Sequence, residues 1–91
     1  MTPNDYACWP KQFPRSLRVP ATSLWHNLET SARRYPDAPV TIFYDSQTPY
    51  RALEDEAERL AGYLQRECGV RKGDRVVMFM QNCPQFVTAY Y

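Results

Sequence analysis

Cys83 is the residue of this 91-residue chain whose type and position best suit a chemical role. It stands directly before Pro84, a residue favoured at the first position of a helix, and a thiol at a helix amino terminus can be activated as a nucleophile. No histidine lies near Cys83 in the sequence, so we interpret it as a buried or capping thiol. With Cys8 and Cys68 the chain has three cysteines, whose spacings match no disulfide framework or zinc pattern. They are interpreted as free thiols in a reducing compartment.

His26 and a group of carboxylates are the other candidates for chemistry. His26 is the only histidine and falls on the polar face of a predicted helix, without partners at metal-ligand spacing. The carboxylates are Glu54, Asp55, Glu56 and Glu58. They stand near the start of another predicted helix, where negative charge is favoured by the helix dipole. We therefore predict no catalytic, cofactor-binding or metal-ligating residue in the chain.

A proline-rich lead-in, residues 1–21, precedes these elements and is expected to be extended. It interleaves basic and apolar side chains, namely Lys11, Arg15, Arg18, Trp9, Phe13 and Leu17. Such a mixture suits contact with anionic lipid head groups or nucleic acid. Three charges are few, so adhesion of the lead-in to the rest of its own protein is the preferred interpretation, with peripheral membrane contact as the alternative.

The overall composition is that of a soluble globular domain, with 44% hydrophobic residues, 23% charged residues and a net charge of +1. This excludes a disordered chain, and it removes the uniform basic field of a nucleic-acid-binding protein. No secretory signal is recognisable, so we expect a cytoplasmic location.

Charge is absent after Arg75. Residues 76–91, which begin with Val76 and end with Tyr91, contain sixteen uncharged residues including four aromatic ones. The segment is too short for a membrane span, and polar residues interrupt it. It therefore predicts a surface that another part of the protein, or a partner, covers.

Hydrophobic periodicity predicts five elements. Residues 22–35 and 51–68 carry apolar stripes at helical spacing, and a third helix begins at Pro84. Residues 40–44 and 75–80 are predicted strands. Because a strand, a helix and a strand succeed each other, we expect a parallel strand pair with a right-handed crossover helix. The predicted fold class is α/β, in the order helix, strand, helix, strand, helix.

Three ordered stretches carry a family resemblance: residues 60–64 (LAGYL), 69–77 (GVRKGDRVV) and 81–86 (QNCPQF). Together with Trp25, Tyr35, Pro36 and the strand that ends in Tyr44, they resemble the amino-terminal part of AMP-forming acyl-CoA synthetases. Residues 14–17 (PRSL) are similar to the branch that acts on long-chain fatty acids. The resemblance implies that residues 22–91 are a partial amino-terminal subdomain of an adenylating domain, cut off in its last helix.

The resemblance also implies a reaction for the parent protein. Members of this family activate a carboxylate with ATP and magnesium to an acyl-adenylate, and then transfer the acyl group to coenzyme A. Their catalytic segments lie downstream of the part that this chain resembles, so we expect an inactive fragment whose partner is the missing remainder of the domain. The chain departs from the family pattern at Asp45, Pro49, Ala52 and Cys83, where Gly, Thr, Glu and Ser are usual.

A second hypothesis comes from a different class of protein. In it, the chain is a small non-catalytic interaction module that docks another protein through residues 76–91. Exposed apolar patches of this kind usually mark an interface. A helix that continues beyond Tyr91 into further strand–helix units would favour the ligase fragment, and a polypeptide that ends at Tyr91 would favour the module.

Overall fold

The computed structural model describes residues 7–91, which form three helices and a two-stranded sheet. The helices are α1 (Leu24–Arg34), α2 (Tyr50–Arg66) and α3 (Pro84–Tyr90). Strands β1 (Pro39–Phe43) and β2 (Ser46–Pro49) lie between α1 and α2. The α/β class and the three predicted helices are confirmed.

Helix α1 begins two residues later than its periodicity indicates. The hydroxyl of Ser23 accepts a hydrogen bond from the backbone N–H of His26 at 3.3 Å, so Ser23 is the N-cap. Arg33 and Arg34 stand in the last turn, where positive charge complements the helix dipole. The helix therefore ends before Pro36, as the sequence predicts.

A tight hairpin joins the two strands. Tyr44 and Asp45 adopt φ values of +47° and +65°, and Phe43 pairs directly with Ser46 across the turn. This is the left-handed backbone of a two-residue hairpin turn, which matches the twist of the flanking strands. In the sequence, Asp45, Ser46 and Gln47 predict a turn, so the observed turn lies one residue earlier, and the chain returns as a strand that ends at Pro49.

The predicted parallel strand pair is wrong. The sheet of the described residues is antiparallel and contains only β1 and β2, while residues 75–80 belong to no helix or strand. Closing the two-residue hairpin costs little conformational entropy because the loop is short. A parallel partner for β1 must instead return along the whole length of α2, which closes a much longer loop. The local antiparallel pairing therefore forms, and the second predicted strand has no ladder within residues 7–91.

Helix α2 is the centre of the fold and packs on both other helices and both strands. Leu53 is only 1% exposed and forms the core with Leu28 and Ala57. The residues packed around this cluster are half-buried, namely Trp25, Val40, Tyr50 and Val87. The core is small. Only four hydrophobic residues of the described chain are buried, namely the three of this cluster and Ala32.

Helix α2 ends in a turn that uses a glycine in the left-handed conformation. Gly69 has a φ of +68°, and the N–H of Val70 turns back to donate to the carbonyl of Leu64 at 2.9 Å. The next turn is held by Asp74, whose carboxylate accepts from the backbone N–H of Arg71 at 2.7 Å. These two turns direct the chain into the extended apolar segment that precedes α3.

Gly62 lies inside α2, and the neighbour closest to it is Arg66 of the same helix. A Cβ atom at position 62 would lie 2.6 Å from the Arg66 Nη2 atom, at the flexible end of that side chain. A glycine inside a helix suggests close approach by a neighbouring element, but the atoms nearest to a Cβ at Gly62 belong to a side chain of the same helix. Arg66 also donates from Nε to the Gly62 carbonyl at 3.2 Å.

We predict that Gly62→Ala stabilises the chain. Rotation of the exposed Arg66 side chain relieves the contact, and alanine is favoured over glycine inside a helix by about 1 kcal/mol. Urea unfolding followed by circular dichroism should show a free energy of unfolding raised by up to about 1 kcal/mol. Ala61→Gly, at the exposed neighbouring position, is the matched control and should lower it by a similar amount. A destabilised Gly62→Ala variant would mean that Arg66 cannot move aside.

Candidate functional site

Cys83 occupies the N-cap position of α3 and is half-buried, and its side chain makes no capping hydrogen bond. It lines a groove of about 310 Å³ together with Thr41, Pro84 and Val87. The residues lining this groove include no histidine or carboxylate that could activate the thiol. The geometry around Cys83 therefore supports a structural position for this residue.

The remaining thiols and the histidine are dispersed over the surface. Cys8 and Cys68 are free and exposed. His26 is exposed on α1 and contributes its backbone N–H to the helix cap. None of these residues lines the groove beside Cys83.

Two carboxylates of α2 contact different partners and not each other's. Asp55 pairs with Arg59 at 2.9 Å on the exposed face of the helix. Glu56 accepts a hydrogen bond through Oε2 from the Thr88 hydroxyl at 3.2 Å, which ties α2 to α3. Within residues 7–91, no group of three or more metal-ligating side chains lies close enough to hold an ion. The Glu56–Thr88 contact joins residues 32 apart in the chain, so no local pattern could have predicted it.

The three glycines do not form a cradle for phosphate. Gly62 is inside α2, while Gly69 and Gly73 take positive φ values in separate turns. A phosphate-binding loop needs several neighbouring backbone N–H groups that point at one anion. The glycines of the described chain therefore do not form such a loop.

An apolar surface is formed by residues 76–80 and the adjoining faces of α2 and α3, and we call it the docking surface. Val77 is 87% exposed and Phe79 is 98% exposed. Exposed side chains of this size and number are unusual on a finished monomer. A groove of about 530 Å³ lies beside them, lined mainly by apolar side chains of Leu60, Leu64, Val76, Met78, Met80 and Ala89.

The backbone of the docking surface is also open. Residues 75–81 belong to no helix or strand ladder within the described chain. Their N–H and C=O groups are therefore not used in a ladder here and remain available to pair with another strand. Met78, predicted to fill core space, is only half-buried, and Met80 is exposed. The docking surface therefore has both the apolar side chains and the free backbone of an interface.

The chain is similar to enzymes that act on long-chain fatty acids. A family model described as AMP-binding enzyme matches residues 28–91. The long-chain-fatty-acid–CoA ligase of Bacillus subtilis (strain 168) is 37% identical over 83 residues, which are 91% of this chain and 15% of the relative. The ligase of the same name from Yersinia pestis is 36% identical over 90 residues, covering 91% of this chain and 16% of the relative.

A more distant relative has a different name. The long-chain fatty acid transport protein 2 of Rattus norvegicus is 31% identical over 70 residues, or 77% of this chain and 11% of that protein. No solved structure matches the chain. The chain thus spans about 15% of the length of the curated ligases that it matches. Because the family match extends over most of its length, the chain belongs to the AMP-binding enzyme family.

Proposed function

We propose that the chain is the amino-terminal part of a longer ligase that activates a long-chain fatty acid and joins it to coenzyme A. In this reaction the carboxylate attacks ATP to give acyl-AMP and pyrophosphate, and coenzyme A then displaces AMP to give the thioester. The observation that carries the proposal is the identity of 36–37% with ligases of this name across 91% of the chain.

Within that ligase, residues 22–91 serve as scaffold of the adenylating domain, and residues 1–21 lead into it. The described residues bring together no nucleophile with a base, no metal ligands and no phosphate-binding loop. ATP, magnesium and coenzyme A are therefore bound by other parts of the ligase. The fatty acid is the substrate of the whole enzyme, and the cytoplasm is its proposed location.

The docking surface supports the proposal that this chain is scaffold and that the rest of the ligase covers it. Val77 and Phe79 are almost fully exposed, and burying them against the remainder of the adenylating domain would remove apolar area from water. The same exposure supports a second candidate function, in which the chain is a small non-catalytic module that docks a separate protein. The two candidates differ in whether the covering surface belongs to the same polypeptide.

Exchange of radioactive pyrophosphate into ATP tests the proposed function. We expect the isolated 91-residue chain to give no exchange that depends on a long-chain fatty acid, because it lacks the residues for adenylation. The longer polypeptide, purified from the source cells, should give such exchange and form acyl-CoA when coenzyme A is added. Exchange by the isolated chain would contradict its role as scaffold, and an inactive longer polypeptide would contradict the ligase assignment.

A further inference from the structure

The exposure of side chains alternates along the apolar segment of the docking surface, residues 76–80. Val77 and Phe79 are 87% and 98% exposed, whereas Met78 between them is half-buried and lines the groove beside α2. Successive side chains of an extended chain point to opposite sides, so the alternation indicates an extended backbone. The segment contains no proline, and each of its residues therefore has an N–H group for main-chain pairing.

The segment can leave its groove without disturbing the core. Leu28, Leu53 and Ala57 form that core, and the half-buried side chains packed against it come from α1, β1, α2 and α3. None of residues 76–80 is among them. A partner that lifts the segment away from α2 therefore leaves the core of the described chain intact.

Positive charge is concentrated directly before the segment. Arg71, Lys72 and Arg75 are exposed and form no ion pair within the described chain. The carboxylate of Asp74 is held locally, because it accepts from the backbone N–H of Arg71 at 2.7 Å. No charged residue follows Arg75 as far as Tyr91. An apolar run with a basic flank is complementary to an apolar channel with an acidic rim.

Synthesis of the proposed ligase would leave this surface uncovered for a long time. A polypeptide about six times as long as this chain still lacks most of its residues when Tyr91 is added. At about 5–20 residues per second the remainder takes roughly 20–90 s to make, whereas helices and hairpins form within microseconds. Apolar surface that stays exposed during synthesis is prone to aggregation. A protecting partner therefore has ample time to bind.

We propose that residues 76–80 of the growing ligase bind an ATP-dependent clamp chaperone, a protein that encloses an extended apolar chain in a channel with an acidic rim. The channel pairs with the main chain as an added strand does, its pockets take Val77 and Phe79, and the basic flank lies at the rim. The inference rests on the proposed function, because the remainder of the ligase later covers the segment. The two proposals fail separately, since the isolated chain binds a chaperone without any ligase activity.

Calorimetric titration of the 91-residue chain with a purified clamp chaperone in its ADP-bound state tests the inference. We expect one chain to bind per channel, and ATP, which opens the clamp, should release it. Val77→Asp, Phe79→Asp should weaken binding at least about 100-fold, because two apolar contacts are lost and two carboxylates meet an acidic rim. Leu17→Asp, Val19→Asp is the matched control in the exposed lead-in, and it should alter binding less than about twofold.

Charge variants test the basic flank separately. Arg71→Gln, Lys72→Gln should weaken binding roughly tenfold at low salt and less at high salt, because exposed charges are screened. Lys11→Gln, Arg34→Gln makes the same change of net charge at exposed positions outside the flank and should alter binding less than about twofold. Equal losses from the two pairs would overturn the inference.

Hydrogen exchange locates the bound segment. The amides of residues 76–81 should exchange more slowly in the complex, while those of α2 should keep the rate of the free chain because the core stays intact. Slower exchange confined to the lead-in would overturn the inference, since the chaperone would then hold another segment. Faster exchange in α2 would also overturn it, since the chaperone would then hold an unfolded chain.

Two other occupants of the segment are outcomes of the same work. Among the helices of residues 7–91, none has the length and apolar composition to cross a membrane. A chain that does not bind the chaperone but sediments as a dimer would assign the segment to a second copy. A chain that does not bind it but floats with phosphatidylcholine vesicles would assign the segment to lipid, and either result would overturn the inference.

Discussion

Replacing Leu53 with alanine is expected to lower the free energy of unfolding by about 2–5 kcal/mol, the usual cost of truncating a buried leucine. Leu53 is 1% exposed and sits where α2 meets Leu28 of α1. A domain of this size has roughly 5–15 kcal/mol of stability in all, and a small core places it at the lower end. We therefore expect Leu53→Ala to leave the isolated chain with at most about 3 kcal/mol of stability, so that part of it is unfolded at room temperature.

Circular dichroism during urea titration measures this effect. Leu17→Ala is the matched control, because it removes the same atoms from a side chain that is 89% exposed, and it should change the free energy of unfolding by less than about 0.5 kcal/mol. Similar unfolding curves for the two variants would contradict the core described for this chain.

Charged substitutions in the docking surface should have a second large effect. That effect should be small in the isolated 91-residue chain and large in the whole ligase. Val77→Asp, Phe79→Asp should leave the unfolding of the isolated 91-residue chain nearly unchanged, because both side chains are open to water. It should also reduce self-association, since two apolar side chains become charged. In the whole ligase the same double change would bury two unpaired carboxylates and cost several kcal/mol. We expect little soluble or active ligase to result.

Sedimentation measures the self-association of the isolated chain. A fatty-acid-dependent assay measures the activity of the whole ligase. Leu17→Asp, Val19→Asp is the control, because these side chains are exposed to a comparable degree in the lead-in, and it should leave the activity in detergent solution unchanged. A fully active ligase with aspartate at positions 77 and 79 would show that the docking surface stays open to water in the whole enzyme. The second candidate function would then be favoured.

The elements that depend on neighbouring residues could be predicted from the sequence. The apolar stripe of α2, the serine that caps α1 and Pro84 at the start of α3 all act within a few residues, and the structure has each of them. The sequence indicates the turn at Tyr44 and Asp45 one residue too late, because neither position has the glycine or asparagine that usually marks a left-handed turn.

The sheet could not be predicted in the same way. Residues 75–80 have the composition of a buried strand, but a strand also needs a partner, and its composition does not say where that partner lies. Within the described chain β1 pairs with β2 through a two-residue turn, and residues 75–80 pair with neither strand. The prediction of a parallel strand pair is therefore wrong.

The candidate site was predictable only in outline. The uncharged run of residues 76–91 indicates a covered surface, and the structure places its apolar groove against Leu60 and Leu64 of α2. The contact of Glu56 with Thr88 gives no signal in the sequence, because each side chain is ordinary in its own helix. The family resemblance depends on an ordered set of short stretches, and the family match supports it.

The mass of the native protein tests the central claim most directly. An antibody raised against residues 7–91 would identify the native polypeptide in an extract of the source cells. We predict a species about six times as long as this chain, because the stretch that makes up 91% of the chain covers 15% of the Bacillus subtilis ligase. A single species of the size of the 91-residue chain would contradict the account, and the docking surface would then have to be covered by a separate protein.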